Sequence, residues 1–403
     1  MRFWILPNSG LETVSHMRLL LDYFRSQRPD LEIEITVLTR QSLWQKLFLC
    51  QRGLLPAAQR PDIVQIPHYW TALFSRLGLL ENLSLLLPSL CDDCLLEPLR
   101  ANCYMPGSSD IYSYPWWMDV SALHYRVDHL ENLGIEPEKA MATWDGFLKV
   151  CGMLQQKRGG HNYFPLENAN IKGTMTARDV LPFIWNRGGD IFSTDMMRST
   201  IHREEVLRGI EDYLNLFRRG YMPLMREKGS IGTLSQGRAS MSISRRLSPI
   251  TQSEAAGNRL MVRTIPIPGD IFGSQSFLSS YNLAILASSQ HKEDAAGLLR
   301  WMTAEENMSR YCNLVQAFPC TAAGFEKFIF SSSERMGTYA QIVAGAKALP
   351  NMTVCGTYME IIDEVLDRIS HDLAAERFSS SLLLREMVKV QVEVDFLISL
   401  YGH

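Results

Sequence analysis

Asp110-Ile-Tyr-Ser-Tyr-Pro-Trp-Trp-Met-Asp119, followed by Leu123-His-Tyr125 and then by Thr143-Trp144-Asp145, is the stretch on which the fold of this chain turns. Its two adjacent indoles lie in an extended segment, where neighbouring side chains point to opposite sides. One of Trp116 and Trp117 can therefore face a ligand while the other packs inward; the alternative is that both pack into a core or a hinge. Asp119 offers two charged acceptors for hydroxyl groups, or else serves as a hinge or capping carboxylate. Thr143-Trp144-Asp145 opens a helical stretch over 142–155.

Upstream of that stretch, residues 3–6 are a short apolar run that stops at Pro7-Asn-Ser-Gly10, a strand followed by a turn. Met17, Leu20, Leu21 and Phe24 recur at helical spacing over 14–24. Residues 33–38 read as a strand, 41–51 as a helix, and Pro61-Asp-Ile-Val-Gln-Ile-Pro67 as a buried strand. This β-α-β-α-β order places the chain in the α/β class, with a parallel sheet covered by helices. Ligands of such sheets meet the loops at the carboxyl ends of the strands. Those loops carry Asn8 and the run His68-Tyr69-Trp70, whose alternative role is a helix N-terminus with aromatic packing.

Downstream, a second α/β unit is predicted: a strand and loop over 162–168, an amphipathic stretch over 176–185, and a helix over 203–219. Val206, Ile210, Tyr213, Leu214 and Phe217 share one face of that helix. Residues 237–243, 265–267 and 281–286 are further strands, 292–302 a helix, and the last 45 residues mostly helical.

A length of 403 residues suits two or three domains, and 46% hydrophobic with 21% charged residues is a globular composition. A net charge of −3 leaves no basic footprint for nucleic acid. No stretch reaches the ~20 apolar residues of a membrane span; the run over 83–90 is broken by Ser84 and Pro88. Met1-Arg-Phe-Trp-Ile-Leu runs straight into a strand without the pattern of an export signal, which implies a cytoplasmic protein if Met1 is the native start. Eight cysteines also suit a reducing compartment. Cys91-Asp-Asp-Cys94 has no second pair to complete a four-ligand zinc site. Phosphate-binding loops, nucleophile elbows and His-Glu-x-x-His are absent, so neither metal nor cofactor is expected.

Taken in order, several motifs resemble the extracellular solute-binding proteins of ABC transporters, in the sugar-binding, maltose-binding-protein-like branch. They are the Tyr-Pro-Trp-Trp-Met-Asp crossing, Leu123-His-Tyr125, Thr143-Trp144-Asp145, Gly237-Arg-Ala-Ser-Met241, the 292–302 helix and Phe318-Pro319. The resemblance implies a two-lobed fold with a hinged cleft and crossings near 117–121, 275–282 and 330–334. Lobe 1 would hold 1–117 and 282–330, and lobe 2 would hold 121–275 and 334–403. It further implies a monomer that binds a small carbohydrate without chemistry and presents it to the transporter's transmembrane subunits. If a signal segment precedes this numbering, the protein would work in the periplasm or at the cell surface. A cytosolic ligand sensor on the same fold is the alternative. A glycoside hydrolase would need two carboxylates roughly 5–9.5 Å apart, and only Asp119 and Glu167 are nominated.

A sugar presents apolar C–H faces and a rim of hydroxyls, so its binder needs flat rings and fixed polar groups. Under the resemblance, Tyr69, Trp70, Trp116 and Trp117 are platform candidates. Glu167 and Asn168 come from the 162–168 loop, Ser244 and Arg245 from the end of the 237–243 strand. Arg245-Arg246 points to an acidic sugar or sugar phosphate, since Arg forks match carboxylate and phosphate; the alternative is a solvated surface pair. Here the chain departs from the family's usual aromatic run. Ser279-Ser280 stands where the family has Gly-Gly, so Ser280, Tyr281 and Asn282 are nominated in place of exposed backbone.

Overall fold

The computed structural model describes the chain except for residues 91–92, 161–162, 169–174, 225–233, 248, 251–260, 331–332 and 402–403. Its strands are β1 Arg2–Ile5, β2 Glu34–Val37, β3 Ile63–Pro67, β4 Tyr114–Val120, β5 Ala122–Arg126, β6 Phe164–Glu167, β7 Ala239–Ser244, β8 Val262–Ile265, β9 Ser276–Ile285, β10 Phe318–Pro319 and β11 Ala346–Ala348. The chain divides into two compact units. The first holds Met1–Asp119, Ser279–Ser333 and Ala348–Gly356; the second holds Val120–Leu278, Glu334–Lys347 and Thr357–His403.

The first unit follows the predicted β-α-β-α-β order. β1 pairs in parallel with β2 (Phe3 opposite Ile35) and with β3 (Phe3 opposite Ile63). Helices Thr13–Arg25 and Arg40–Gln51 connect these strands. β9 then joins β3 antiparallel, Ile63 opposite Ile285 and Pro67 opposite Tyr281, in a sheet ordered β10-β4-β9-β3-β1-β2. All seven residues of β4 and all ten of β9 are buried. Strands covered on both faces are continuous rather than alternating in hydrophobicity, which explains why 281–286 was recognised in the sequence while the Ser276–Ser280 half of β9 was not.

Residues 348–356 depart from the expected division, which gave 334–403 to one lobe. Leu349 accepts a hydrogen bond from His68 Nε2 (2.9 Å), and Asn351 Oδ1 accepts one from the Ala72 N–H (3.0 Å). A Cβ on Gly356 would sit 3.0 Å from the Trp70 ring. These contacts tie the segment to the first unit, so 334–403 is interrupted. The expected crossing at 330–334 includes residues 331–332, outside the described residues, as is Cys91.

The second unit is built on a four-stranded sheet ordered β6-β7-β5-β8. β6 and β7 are parallel, and β5 lies antiparallel to both of its neighbours. Only Ser121 separates β4 from β5. Thr143 caps the helix Trp144–Arg158 by accepting from the Gly146 N–H (3.2 Å), as the Thr-Trp-Asp motif suggested. Helix Ala177–Asn186 opens with a capping box in which Asp179 Oδ2 accepts from the Thr176 backbone N–H (3.1 Å) and hydroxyl (2.7 Å). Helix Glu204–Arg218 buries the whole predicted apolar face. It meets the preceding helix at Gly209, where a Cβ would lie 2.5 Å from the Ile184 Cα, a close approach that only glycine permits. Two long helices, Cys355–Ala374 and Ser380–Tyr401, account for the helical reading of the last 45 residues. Among the described residues no helix is long and apolar enough to cross a membrane.

Candidate functional site

Asn8 follows β1, where the backbone leaves the parallel sheet. Its amide nitrogen donates to Gln65 Oε1 (2.9 Å) and to Tyr311 Oη (2.6 Å), while Gln65 Nε2 donates back to Asn8 Oδ1 (3.1 Å). Tyr311 in turn stacks on Trp116, with centroids 4.1 Å apart and planes 17° apart, and Phe3 lies 6.4 Å from the same indole. Trp116 is thus an interior ring and not a platform. Its register in β4 turns it toward the layer of Phe3 and Tyr311.

The neighbouring indole faces the opposite way, as strand alternation requires. Trp117 stacks on Tyr281 at 4.0 Å and 18°. Trp117 is fully covered, whereas Tyr281 keeps 8% of its surface exposed. Asp119, two residues beyond Trp117, shares that face of β4 and is buried. Ser280 lies on the other face of β9 and is corrected to a structural role. Its hydroxyl donates to Asn282 Oδ1 (2.8 Å), Asn282 Nδ2 donates to Ser113 Oγ (2.9 Å), and Ser113 bonds Thr71 (2.7 Å). This buried chain satisfies the polar groups of Ser280 and Asn282 internally.

In the run His68-Tyr69-Trp70, His68 and Trp70 are likewise structural. His68 holds the 348–356 segment through the Leu349 carbonyl, and burial pushes its imidazole down to about 4, so it is neutral at neutral pH. Trp70 packs against Trp44 (4.8 Å) and Phe74 (6.1 Å). Both outcomes match the aromatic-packing alternative. Tyr69 is fully buried too; its hydroxyl accepts a 2.6 Å hydrogen bond from Arg40 Nη1, and the same guanidinium lies 5.4 Å from the Tyr69 and Trp70 ring centroids. Sequence reasoning missed Arg40. It follows β2 at the helix N-cap Thr39, and the rule that ligands meet strand carboxyl ends would have nominated it.

In the second unit Glu167 ends β6. Its Oε1 accepts from Ser242 Oγ (2.8 Å) and its Oε2 from the Leu234 N–H (3.1 Å). Asn168 Nδ2 donates to the Pro223 carbonyl (3.1 Å). The Ser244 hydroxyl is engaged locally, accepting from the Arg246 N–H at 3.1 Å. Arg245 Nη1 donates to Asp179 Oδ1 at 2.7 Å, with the two side chains 20% and 14% exposed. Arg245 is therefore neither a solvated surface charge nor an uncompensated cation. Asp179, also missed, was visible as the fourth residue of Thr176-x-x-Asp. Among the described residues no three His, Cys, Asp or Glu side chains come together as a metal site, and the seven described cysteines form no disulfide with one another.

A separate cavity of about 540 Å³ in the second unit is lined by Ser193, Arg198, Thr200, His202, Gln391 and Asp395 among others, and none of the nominated residues borders it. Within the first unit the nominated residues that come together are Trp117, Tyr281 and Asp119 on one face of the sheet, while the Tyr69–Arg40 pair follows the carboxyl ends of β3 and β2. Such groups suit noncovalent recognition: aromatic surface for apolar C–H faces, and charged groups whose hydrogen bonds to hydroxyls are worth about 1.5–3 kcal/mol each.

The sequence profile of the bacterial extracellular solute-binding proteins matches residues 14–309. A mannitol-binding protein of Pseudomonas aeruginosa is 24% identical over 308 residues, which cover 72% of this chain. The chain spans 66% of that relative's length. Among solved structures, a Thermotoga lettingae solute-binding protein bound to alpha-D-tagatose superposes with a TM-score of 0.81 at 17% identity, covering 99% of each chain. The maltose-bound MalE3 protein of T. maritima gives a TM-score of 0.79 at 19% identity, covering 98% of this chain and 99% of its own. At these identities the likeness to the solved structures is one of fold, and that fold is the two-lobed periplasmic-binding-protein fold.

Proposed function

This chain belongs to the bacterial extracellular solute-binding protein family, and we propose that it captures a small carbohydrate or polyol outside the cytoplasmic membrane and presents it to the transmembrane subunits of an ABC transporter. The family is one of binding proteins, so the cargo leaves chemically unchanged. The single observation that supports the reading best is the Trp117–Tyr281 stack with Asp119 on the same face of β4. Tyr281, buried except for 8% of its surface, takes the apolar face of the sugar, and Trp117 fixes its orientation from behind. A ring held by stacking loses little rotamer freedom when a ligand arrives, which lowers the cost of binding. Asp119 accepts hydroxyl hydrogens. The Arg40 guanidinium adds donors at the carboxyl end of β2.

The cargo is neutral in this reading. Arg245, which with Arg246 would favour an anionic sugar, already donates to Asp179, and that carboxylate balances its charge. Thermal-shift screening against neutral sugars, polyols, uronic acids and sugar phosphates tests the proposal. A cognate neutral ligand at about 100 times its Kd should stabilise the protein by about 2.7 kcal/mol. A panel in which only anionic members raise the melting point would overturn the neutral assignment. Failure of every sugar and polyol, or turnover of a glycoside, would overturn the function.

A further inference from the structure

Residues 190–203 of the second unit form a tightly tied loop. Ser199 pairs with Phe192 in an antiparallel bridge, and the Ser193 N–H donates to the Arg198 carbonyl (2.9 Å). Thr200 Oγ1 donates to the Asp190 carbonyl (2.5 Å), and the Ser199 hydroxyl bonds Tyr358 Oη (2.6 Å). Helix Ser380–Tyr401 fixes the loop further: Asp395 Oδ1 accepts from the Ser199 N–H (2.6 Å) and its Oδ2 from Gln391 Nε2 (2.5 Å). Loop and helix together line the cavity of about 540 Å³, a volume within the roughly 300–1,000 Å³ of small-molecule sites.

The lining is unevenly charged. Arg198, His202 and Arg203 bring two guanidinium groups and an imidazole, against the single carboxylate of Asp395. That carboxylate is taken up by two neutral donors, Ser199 and Gln391, and makes no ion pair among the described residues. Asp195 does not border the cavity, and its Oδ1 accepts the Ser193 hydroxyl (2.6 Å) and the Met197 N–H (3.0 Å). Glu204, beside Arg203, pairs with Arg208 at 2.5 Å. Among the described residues neither Arg198 nor Arg203 has an ion pair or a side-chain hydrogen bond. His202 Nδ1 is buried without a hydrogen-bond partner, which is uncommon for a polar atom.

We propose that this cavity is a second ligand site, and that it takes an organic phosphate. Arginine forks match phosphate oxygens. A phosphate monoester presents three strong acceptor oxygens, enough for both forks and the imidazole together. A bare phosphate ion would leave most of the 540 Å³ unfilled, so the organic body of the ester occupies the rest, beside Met197. The bonds that tie the loop to Asp190, Tyr358 and Asp395 hold its backbone in place before the ligand arrives, which lowers the cost of binding. Trp117, Tyr281 and Asp119 belong to the first unit, so this site stands apart from the one proposed for the sugar.

Isothermal titration calorimetry of the full chain at about 0.15 M salt, with glycerol 3-phosphate, phenyl phosphate, adenosine 5′-phosphate and inorganic phosphate as probes, tests this. At least one ester should bind at a single site, and inorganic phosphate should bind at least about tenfold more weakly than that ester. Arg198→Gln and Arg203→Gln should each weaken the ester by at least about tenfold. Both variants should melt at the wild-type temperature, because the two side chains are exposed and hold no partner in the fold. Asp119→Ala should bind the ester as the wild type does, since that residue lies in the other unit. Failure of all three esters to bind, or inorganic phosphate binding as tightly as the best of them, would overturn the proposal. So would binding that ignores both arginine substitutions, or that disappears in Asp119→Ala, because the phosphate would then sit elsewhere.

Discussion

Acid should loosen the first unit through His68. The imidazole is buried and bonded to the Leu349 carbonyl, and burial lowers its pKa from 6.5 to about 4, against the carbonyls of Leu349 and Ser280, which favour the proton. An unfolded chain takes up this proton near pH 6.5, whereas the folded protein resists until about pH 4. Between those values the unfolded state binds more protons, so stability rises with pH. The contribution is complete above pH 6.5 and is lost as the pH falls through about 4. At 1.36 kcal/mol per pH unit the whole span is worth about 3 kcal/mol, of which about 2 is gone by pH 5. His68→Gln keeps a donor for Leu349 but cannot titrate. Urea unfolding of wild type and variant at about pH 7.5 and pH 5, followed by tryptophan fluorescence, to which the first unit contributes six of the eight indoles, measures the effect. The variant should be the less stable protein at the higher pH, and the gap should narrow by about 2 kcal/mol at the lower one. A gap that does not change with pH would refute the reasoning.

His124 and His129 make the same argument for the second unit, since burial pushes them down to about 3 and about 4; unfolding of both units should therefore shift to lower urea as the pH drops from 6.5 toward 4. Gly209→Val forces a side chain into the Ile184 backbone at the helix crossing, and its melting temperature by circular dichroism should fall by several degrees or the second unit should fail to fold. Asp119→Ala should abolish the thermal shift given by the cognate sugar, and a full retained shift would remove Asp119 from the site. Arg40→Ala deletes the fork that holds Tyr69, and calorimetry should show roughly a tenfold to hundredfold loss of affinity with the fold intact.

The elements of this protein were legible wherever a pattern is local. Helical spacing located 14–24 and 203–219, Thr143 and Thr176 marked helix starts that do cap, and the order of aromatic, Pro and acidic residues near 117 pointed to the family that the profile match identifies. Alternation in an extended segment even required Trp116 and Trp117 to face opposite ways. What covers each of them was not local information. It depends on Tyr311, nearly two hundred residues on, closing over Trp116, and on Tyr281 lying across the strand boundary from Trp117.

The candidate site shows the same division. Residue types named the chemistry, yet His68, Trp70 and Ser280 turned out to serve the interior, because their partners are Leu349, Trp44 and Asn282 and such pairings are set only when the sheet and its covering segments assemble. The charge of Arg245 was visible in the sequence; that Asp179, 66 residues away, neutralises it was not. The sequence by itself determined periodicity, turn chemistry and the inventory of charges and rings, because each of these acts over a few residues. Tertiary structure alone decided which polar groups and rings the fold pairs with one another, because hydrogen bonds and stacking depend on distances in space that the order of residues does not state.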